Sequence, residues 1–292
     1  MDFLKIVFSV SGVKTYLFVP PLVAFVLAFL GVMGGITGAF MLLPFQLSLN
    51  YTSPGVSATN LLYNLFTIPP ALWRYGREGR FHGPLTLVMS LGVAPGMFLG
   101  YLLRLSVFRD PGRFKLLVSL VLFYLAGRIL KDLLRSSPSP KSITEIHLLR
   151  FDFYRMVFRF GEETYEVRVP TVLGISFAVG IVSGIYGIGG GAILAPFLIS
   201  VFGLPIHAVA GSTLATTFLA SLLGLGFYSF GPGSGPETRP DLALGSLFGI
   251  GGLAGAYFGA RFQKRVPERP IKWGLFVVII LTALKYMYEA LG

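Results

Sequence analysis

The chain contains no cysteine, which removes disulfide frameworks, thiolate zinc sites and cysteine nucleophiles together. It is also poor in charge: 13% of its 292 residues are charged against 54% hydrophobic, and the mean hydropathy is +0.74. The shortage is concentrated. Between Thr15 and Trp73 there is no Asp, Glu, Lys, Arg or His, and between Val169 and Pro236 the only ionisable side chain apart from tyrosine is His207. Runs of this kind exclude an ordinary soluble globule, because a membrane span needs roughly 20 apolar residues and a charge at mid-bilayer costs several kcal/mol. The apolar cores hold no Asp or Glu. Cation and proton carriers often place carboxylates within their spans, so this absence turns the expectation toward an anionic or neutral ligand held by backbone dipoles, amides and hydroxyls. With neither a paired-carboxylate nor a Ser/His/Asp constellation, the chain is not expected to be an enzyme, and no cofactor is implied. His82 and His207 stand at segment ends without a second ligand nearby, which argues against a metal site; His207 is a candidate proton-sensitive gate.

The charge that is present is basic, +11 formally at pH 7. The cations sit in short clusters between apolar segments, where they meet lipid headgroups; this patterning points to membrane lipid and away from nucleic acid. Arg104, Arg109, Arg113 and Lys115 flank one connection, and Arg261, Lys264, Arg265, Arg269 and Lys272 the equivalent one later in the chain, which favours placing both in the cytoplasm. Arg74, Arg77 and Arg80 fall on the opposite side under simple counting.

Eight apolar segments are read: 16–47, 55–73, 83–103, 114–134, 169–202, 206–230, 242–260 and 271–291. The first and fifth are too long for one crossing and carry glycines and a proline in their second halves, so each is expected to be broken or re-entrant. The polar stretch 136–169 has alternating residues on both sides of Gly161-Glu162-Glu163 and reads as a soluble β-hairpin joining two halves. The expected organisation is a first transmembrane repeat at 1–135, a linker at 136–169 and a second repeat at 170–292.

The repeat is visible residue by residue. At a shift of 152, Gly35, Ile36, Gly38 and Pro44 fall on Gly187, Ile188, Gly190 and Pro196; at 153, Val56, Ala58, Thr59 and Asn60 meet Val209, Gly211, Ser212 and Thr213. At 159, Gly96 and Gly100 meet Gly255 and Gly259, and at 157 Lys115, Arg128 and Asp132 meet Lys272, Lys285 and Glu289. Each half thus ends in a helix with a cation and an acid one turn later. The expected fold class is an all-α polytopic membrane protein of about eight segments in two homologous four-segment repeats, with glycine-interrupted helices. That pattern points to a secondary transporter with its site at the repeat interface. Re-entrant first segments would make the repeats inverted; single crossings would make them parallel.

Two motifs carry candidate binding groups. The run from Gly184 to Pro196, with Gly187, Gly189, Gly190 and Gly191, is matched by Gly35, Thr37 and Gly38 ahead of Pro44. No Lys-Ser/Thr follows the glycines and the run lies in an apolar segment, so a nucleotide site is not expected; in a membrane such glycines can unwind a helix and aim N–H groups at an anion, or let helices pack closely. Ser212, Thr213 and Thr217 correspond to Thr59, Asn60 and Asn64, neutral donors on otherwise apolar helices. Gly92, Gly96 and Gly100, with Gly251, Gly255 and Gly259, read as packing faces.

The duplicated Gly-Ile-Gly-Gly-Gly-x-x-x-x-Pro run, followed about fifteen residues later by Ala-Gly-Ser-Thr, resembles the TauE/SafE family of sulfite exporters over both halves. Ser212-Thr213 stands where many members read Thr-Ser, and in the first half Thr37 and Ala39 replace glycines and Thr59-Asn60 the hydroxyl pair. The resemblance implies an integral protein of a bacterial or archaeal cell (inner) membrane that exports sulfite or an organosulfonate, a small anionic substrate. Uptake, or transport of another small anion such as sulfate or acetate, is the alternative within transport. A scaffold or receptor whose glycines serve packing alone is the alternative outside it.

Overall fold

Helices dominate, and proline, glycine and charge decide where they stop. The computed structural model describes residues 5–34, 37–79, 81–134, 146–204, 206–262 and 268–291. A short hairpin of β1 (Lys5–Val7) and β2 (Lys14–Tyr16) leads into α1 (Val19–Gly34) and α2 (Ala39–Ser48). Next come α3 (Gly55–Thr67), α4 (Pro69–Arg77), α5 (Gly83–Leu105) and α6 (Pro111–Leu134). After the strands β3 (Ile146–Phe151), β4 (Arg155–Phe160) and β5 (Glu163–Arg168) follow α7 (Val169–Tyr186), α8 (Gly191–Phe202), α9 (Ile206–Phe230), α10 (Leu242–Phe262) and α11 (Glu268–Leu291).

Both over-long apolar segments are interrupted: α1 and α2 divide the first, and α7 and α8 the fifth. The second segment is divided as well, because Pro69 and Pro70 cannot donate backbone hydrogen bonds and open a new helix instead of continuing α3. Five helices among the described residues are long and apolar enough to cross a membrane: Gly83–Leu105, Val169–Tyr186, Val209–Phe230, Leu242–Phe262 and Arg269–Leu291. Breaks leave α1 and α2 shorter, and α6 carries Arg113, Lys115, Arg128, Lys131 and Asp132.

Glycine faces set the helix pairing. Gly92, Gly96 and Gly100 of α5 lie against Leu173, Phe177 and Ile181 of α7, so close that a methyl group at any of them would overlap the facing backbone. Gly251, Gly255 and Gly259 of α10 lie in the same way against Pro21, Phe25 and Phe29 of α1. Each pair therefore runs parallel, and the second set of partners stands 152 residues before the first.

Two ends of the bundle are fixed by polar contacts. At one, the β1–β2 turn holds α10: Ser11 donates from its backbone N and Oγ to Asp241 Oδ2 at 3.0 and 2.7 Å, and Asp241 N donates to Thr59 Oγ1 at 2.9 Å. Tyr51 Oη also meets Thr59 Oγ1, at 3.0 Å, and Arg104 at the end of α5 reaches the Thr52 carbonyl at 3.0 Å. The other end is marked by His82, whose backbone N donates to Ser212 Oγ at 3.2 Å. Hence α5 ends where α10 begins, and the cations Arg104 and Arg109 at and after the end of α5 and Arg261 at the end of α10 lie at opposite ends of the bundle. The sequence placed both on one side; the physical reason for the difference is that α5 and α10 run antiparallel.

The His82 end carries the sheet. In β4 alternate residues Met156, Phe158 and Phe160 are buried, and the Phe158 ring lies 4.9 Å from that of His82. The expected strands flank Gly161, and β3 adds a third, antiparallel to β4 with a register shift between Leu148 and Arg150. Linker residues 135–145 lie outside the described residues.

At the terminal helices, Glu289 bonds Lys115 of the other half at 2.6 Å, closer than its own-turn partner Lys285 at 3.7 Å. The (i, i+4) pair expected from spacing is present but secondary.

Candidate substrate site at the helix breaks

Between α7 and α8 the backbone takes three left-handed steps in four residues: Gly187 at φ +87°, Gly189 at +80° and Gly190 at +86°. Residues with a Cβ pay about 1–2 kcal/mol for such a conformation, so glycine is required here by geometry as well as by space. A methyl group on Gly187 would overlap the Ser57 carbonyl, and one on Gly191 the Thr213 carbonyl and the Thr217 hydroxyl. At Gly189 it would come 2.6 Å from Thr217 Cγ2. Gly190 is roomier, its nearest neighbour at 3.3 Å being Ser183 Oγ.

A helix that ends inside an apolar bundle leaves carbonyls without partners. Here four side chains from two other helices take them in turn. Tyr228 Oη donates to the Gly184 carbonyl at 2.7 Å, Ser57 Oγ to Ile185 at 2.8 Å, Asn60 Nδ2 to Gly187 at 3.0 Å and Asn64 Nδ2 to Ile188 at 3.2 Å. Asn60 Nδ2 also reaches the Ala39 carbonyl at 3.1 Å, on the opening turn of α2, so one amide ties both helix breaks together. Asn64 Nδ2 reaches Ser221 Oγ at 3.1 Å, and the Asn60 Oδ1 accepts from Gln46 Nε2 at 3.4 Å.

The electrostatic consequence favours an anion. Carbonyl oxygens at the end of α7, which would repel negative charge, are covered by donors, while α8 begins at Gly191 with the positive end of its dipole facing the same turn. Three buried oxygens beside the breaks have no partner among the described residues: Thr37 Oγ1, Gln46 Oε1 and Ser183 Oγ. Hydroxyls in this state are available to donate to a ligand.

The remaining sequence-derived residues divide. Gly38 opens α2 in ordinary helical geometry, packed on the Tyr63 hydroxyl and Ala28. Thr213 Oγ1 donates to the Ala210 carbonyl at 3.1 Å and Thr217 Oγ1 to the Thr213 carbonyl at 2.8 Å, so both hydroxyls back-bond to their own helix while their faces pack on Gly191. Thr59 turns to the Asp241 end and Ser212, with its hydroxyl on the His82 backbone, to the opposite end; neither is part of the cluster at the breaks. Gly35 and the side chain of His207 lie outside the described residues.

Several participants were not singled out from sequence. Ser57 and Tyr228 sit on helices with several other polar side chains, and nothing in the sequence says which of these faces the helix break. Arg104 was read as one of a cluster of flanking cations, yet it is fully buried, with its guanidinium on the Thr52, Ser53 and Phe108 carbonyls and 3.7 Å from the Phe114 ring centroid. Among the described residues no carboxylate joins it there.

Two proteins of Bacillus subtilis (strain 168) are similar to the chain: the probable membrane transporter protein YdhB, 25% identical over 91% of this chain and 97% of its own length, and the probable membrane transporter protein YunE, 25% identical over 44% and 45%. The YunE match thus spans under half of that protein. No solved structure matches. With several apolar helices and transporter relatives, the chain is an integral membrane protein of transporter type. The model described as "Sulfite exporter TauE/SafE" matches residues 21–286, and the chain belongs to that family.

Proposed function

We propose that the protein exports sulfite or an organosulfonate, bound as an anion between the two helix breaks. The observation that carries the reading is the covering of the Gly184, Ile185, Gly187 and Ile188 carbonyls by Tyr228, Ser57, Asn60 and Asn64, which leaves the start of α8 as the dominant dipole at the turn. The family description names sulfite, whose charge and hydrogen-bond acceptors suit neutral donors and a helix dipole. Neutral donors hold an anion loosely enough to release it, as a carrier requires.

The same proposal includes inverted repeats of four apolar segments, each opening with a re-entrant pair. Its support is the matched packing of Gly96 on Phe177 and Gly255 on Phe25, together with the antiparallel α5 and α10. In such an arrangement the two breaks meet near the middle of the bundle, and rocking one half against the other exposes the site alternately to each side. The His82 end carries Arg74, Arg77, Arg155, Arg168 and Arg261, a charge bias that supports reading it as the cytoplasmic end.

The test is counterflow in proteoliposomes loaded with unlabelled sulfite. Uptake of labelled sulfite, competed by sulfonates, is expected. Flux of sulfate or acetate without sulfite would redirect the substrate, and absence of any flux would favour a scaffold.

A further inference from the structure

We propose that the turn between β3 and β4 is a binding site for the headgroup of an anionic phospholipid, seated in the membrane surface beside the start of α7. A cavity of about 770 Å³ opens there, lined by Arg150, Asp152, Tyr154, Arg155 and Arg168 together with the first turn of α7. Three cations face one acid in this lining. The acid is already occupied: Asp152 Oδ2 accepts from Arg150 Nε at 2.8 Å, and Oδ1 from the backbone N of Tyr154 and Arg155 at 3.1 and 2.8 Å. Arg155 shares Glu166 at 3.1 Å, but these arginines are well exposed and their exposed ion pairs hold them weakly. A phosphodiester can therefore compete for the guanidinium groups, which match its paired oxygens.

The surroundings specify a lipid over a free anion. Phe153 and Tyr154 project from the turn at 76% and 70% exposure, and Leu148, Leu149 and Phe151 of β3 are exposed beside them. Such a row is costly in water, on a strand at the edge of the three-stranded sheet. The Val169 backbone N donates to the Tyr154 carbonyl at 3.0 Å, so the turn is tied to the first residue of a helix long and apolar enough to span the membrane. That contact sets the aromatic pair at the level where a span leaves the hydrocarbon, the depth that suits amphipathic rings and neighbouring arginines. The inference rests on the membrane placement of α7 and is independent of what the transporter carries.

The experiment uses the full chain with Trp73 and Trp273 replaced by Phe and with Phe153→Trp as reporter, in vesicles of phosphatidylcholine mixed with either brominated phosphatidylglycerol or brominated phosphatidylcholine. Quenching by both lipids is expected, with an apparent preference for phosphatidylglycerol of about fivefold or more, the ratio that about 1 kcal/mol from a single arginine near an anionic surface implies. Arg150→Gln, Arg155→Gln and Arg168→Gln combined should bring the preference to about one while far-UV circular dichroism and size-exclusion behaviour stay unchanged. Inorganic phosphate at millimolar concentration should not remove the preference; if it does, the site takes free phosphate and the lipid assignment is overturned. Absence of quenching by either lipid would overturn it too, as would spontaneous cross-linking of Phe153→Cys between copies, which would make the turn a protein interface. Sulfite counterflow in the same vesicles reports separately on the transport reading.

Discussion

The side-chain amide of Asn60 donates at 3.0 Å to the carbonyl of Gly187, 127 positions along the chain. The same nitrogen donates at 3.1 Å to the carbonyl of Ala39, so a single group in α3 spans the helix breaks of both halves. An amide buried in this way is held by what it satisfies: removing it strands two carbonyls in an apolar bundle.

Asn64→Leu is expected to leave the Ile188 carbonyl without its donor and to destabilise the protein by about 1–3 kcal/mol. Thermal unfolding in detergent should show the loss. Asn64→Gln, which keeps an amide but lengthens its arm, should recover part of it; equal stability of wild type and Asn64→Leu would mean that the bond contributes nothing.

Gly187 and Gly190 share a left-handed backbone but differ in space, and the difference is measurable. Gly190→Ala should cost about 1–2 kcal/mol, the conformational strain alone. Gly187→Ala adds overlap with the Ser57 carbonyl, a backbone atom that cannot swing aside, and should be the more damaging by at least another kcal/mol. Equal melting temperatures for the two variants would contradict the packing described.

His82 caps α5 through Nδ1, which accepts from the Leu85 backbone N at 3.1 Å, while Nε2 is buried without a partner. Burial pushes its pKa down from 6.5 to about 4. In the unfolded chain the imidazole gains its proton as pH falls through 6.5, and in the folded chain only near 4, so its contribution to stability is present above pH 6.5 and is lost progressively between 6.5 and 4. His82→Asn retains a capping side chain and cannot titrate. Its melting temperature should fall less steeply than that of wild type across this interval; parallel curves would mean that His82 is not the group responsible.

The parts of the fold written in local pattern were legible in the sequence. Gly92, Gly96 and Gly100 announced a close helix contact by their spacing, and the glycine run from Gly187 to Gly191 announced the interruption between α7 and α8. What the sequence could not express was the partner. Gly96 meets Phe177 and Gly255 meets Phe25, and nothing local says that the faces pair across the halves. The same blindness affected Arg104, which shares a cluster with Arg109 and Arg113 in sequence but turns inward because Thr52 and Ser53 present carbonyls beneath it. The hairpin of β1 and β2 was missed because strands of three residues carry no periodicity to read. At the site, Thr213 and Thr217 were grouped with Asn60 and Asn64 because all share helix faces. The Thr213 and Thr217 hydroxyls reach carbonyls of their own preceding turn, whereas the Asn60 and Asn64 amides reach across to another helix.

The central claim, an anion carried between the helix breaks, is tested most directly by sulfite counterflow measured on wild type, Asn60→Leu and Gly190→Leu reconstituted side by side, with folding confirmed by size-exclusion profile. Wild type should accumulate labelled sulfite and lose it to competing sulfonate, and the folded variants should retain less than about a tenth of that flux, the loss of roughly 1.4 kcal/mol or more of interaction. Undiminished flux in both variants would place the path elsewhere in the bundle.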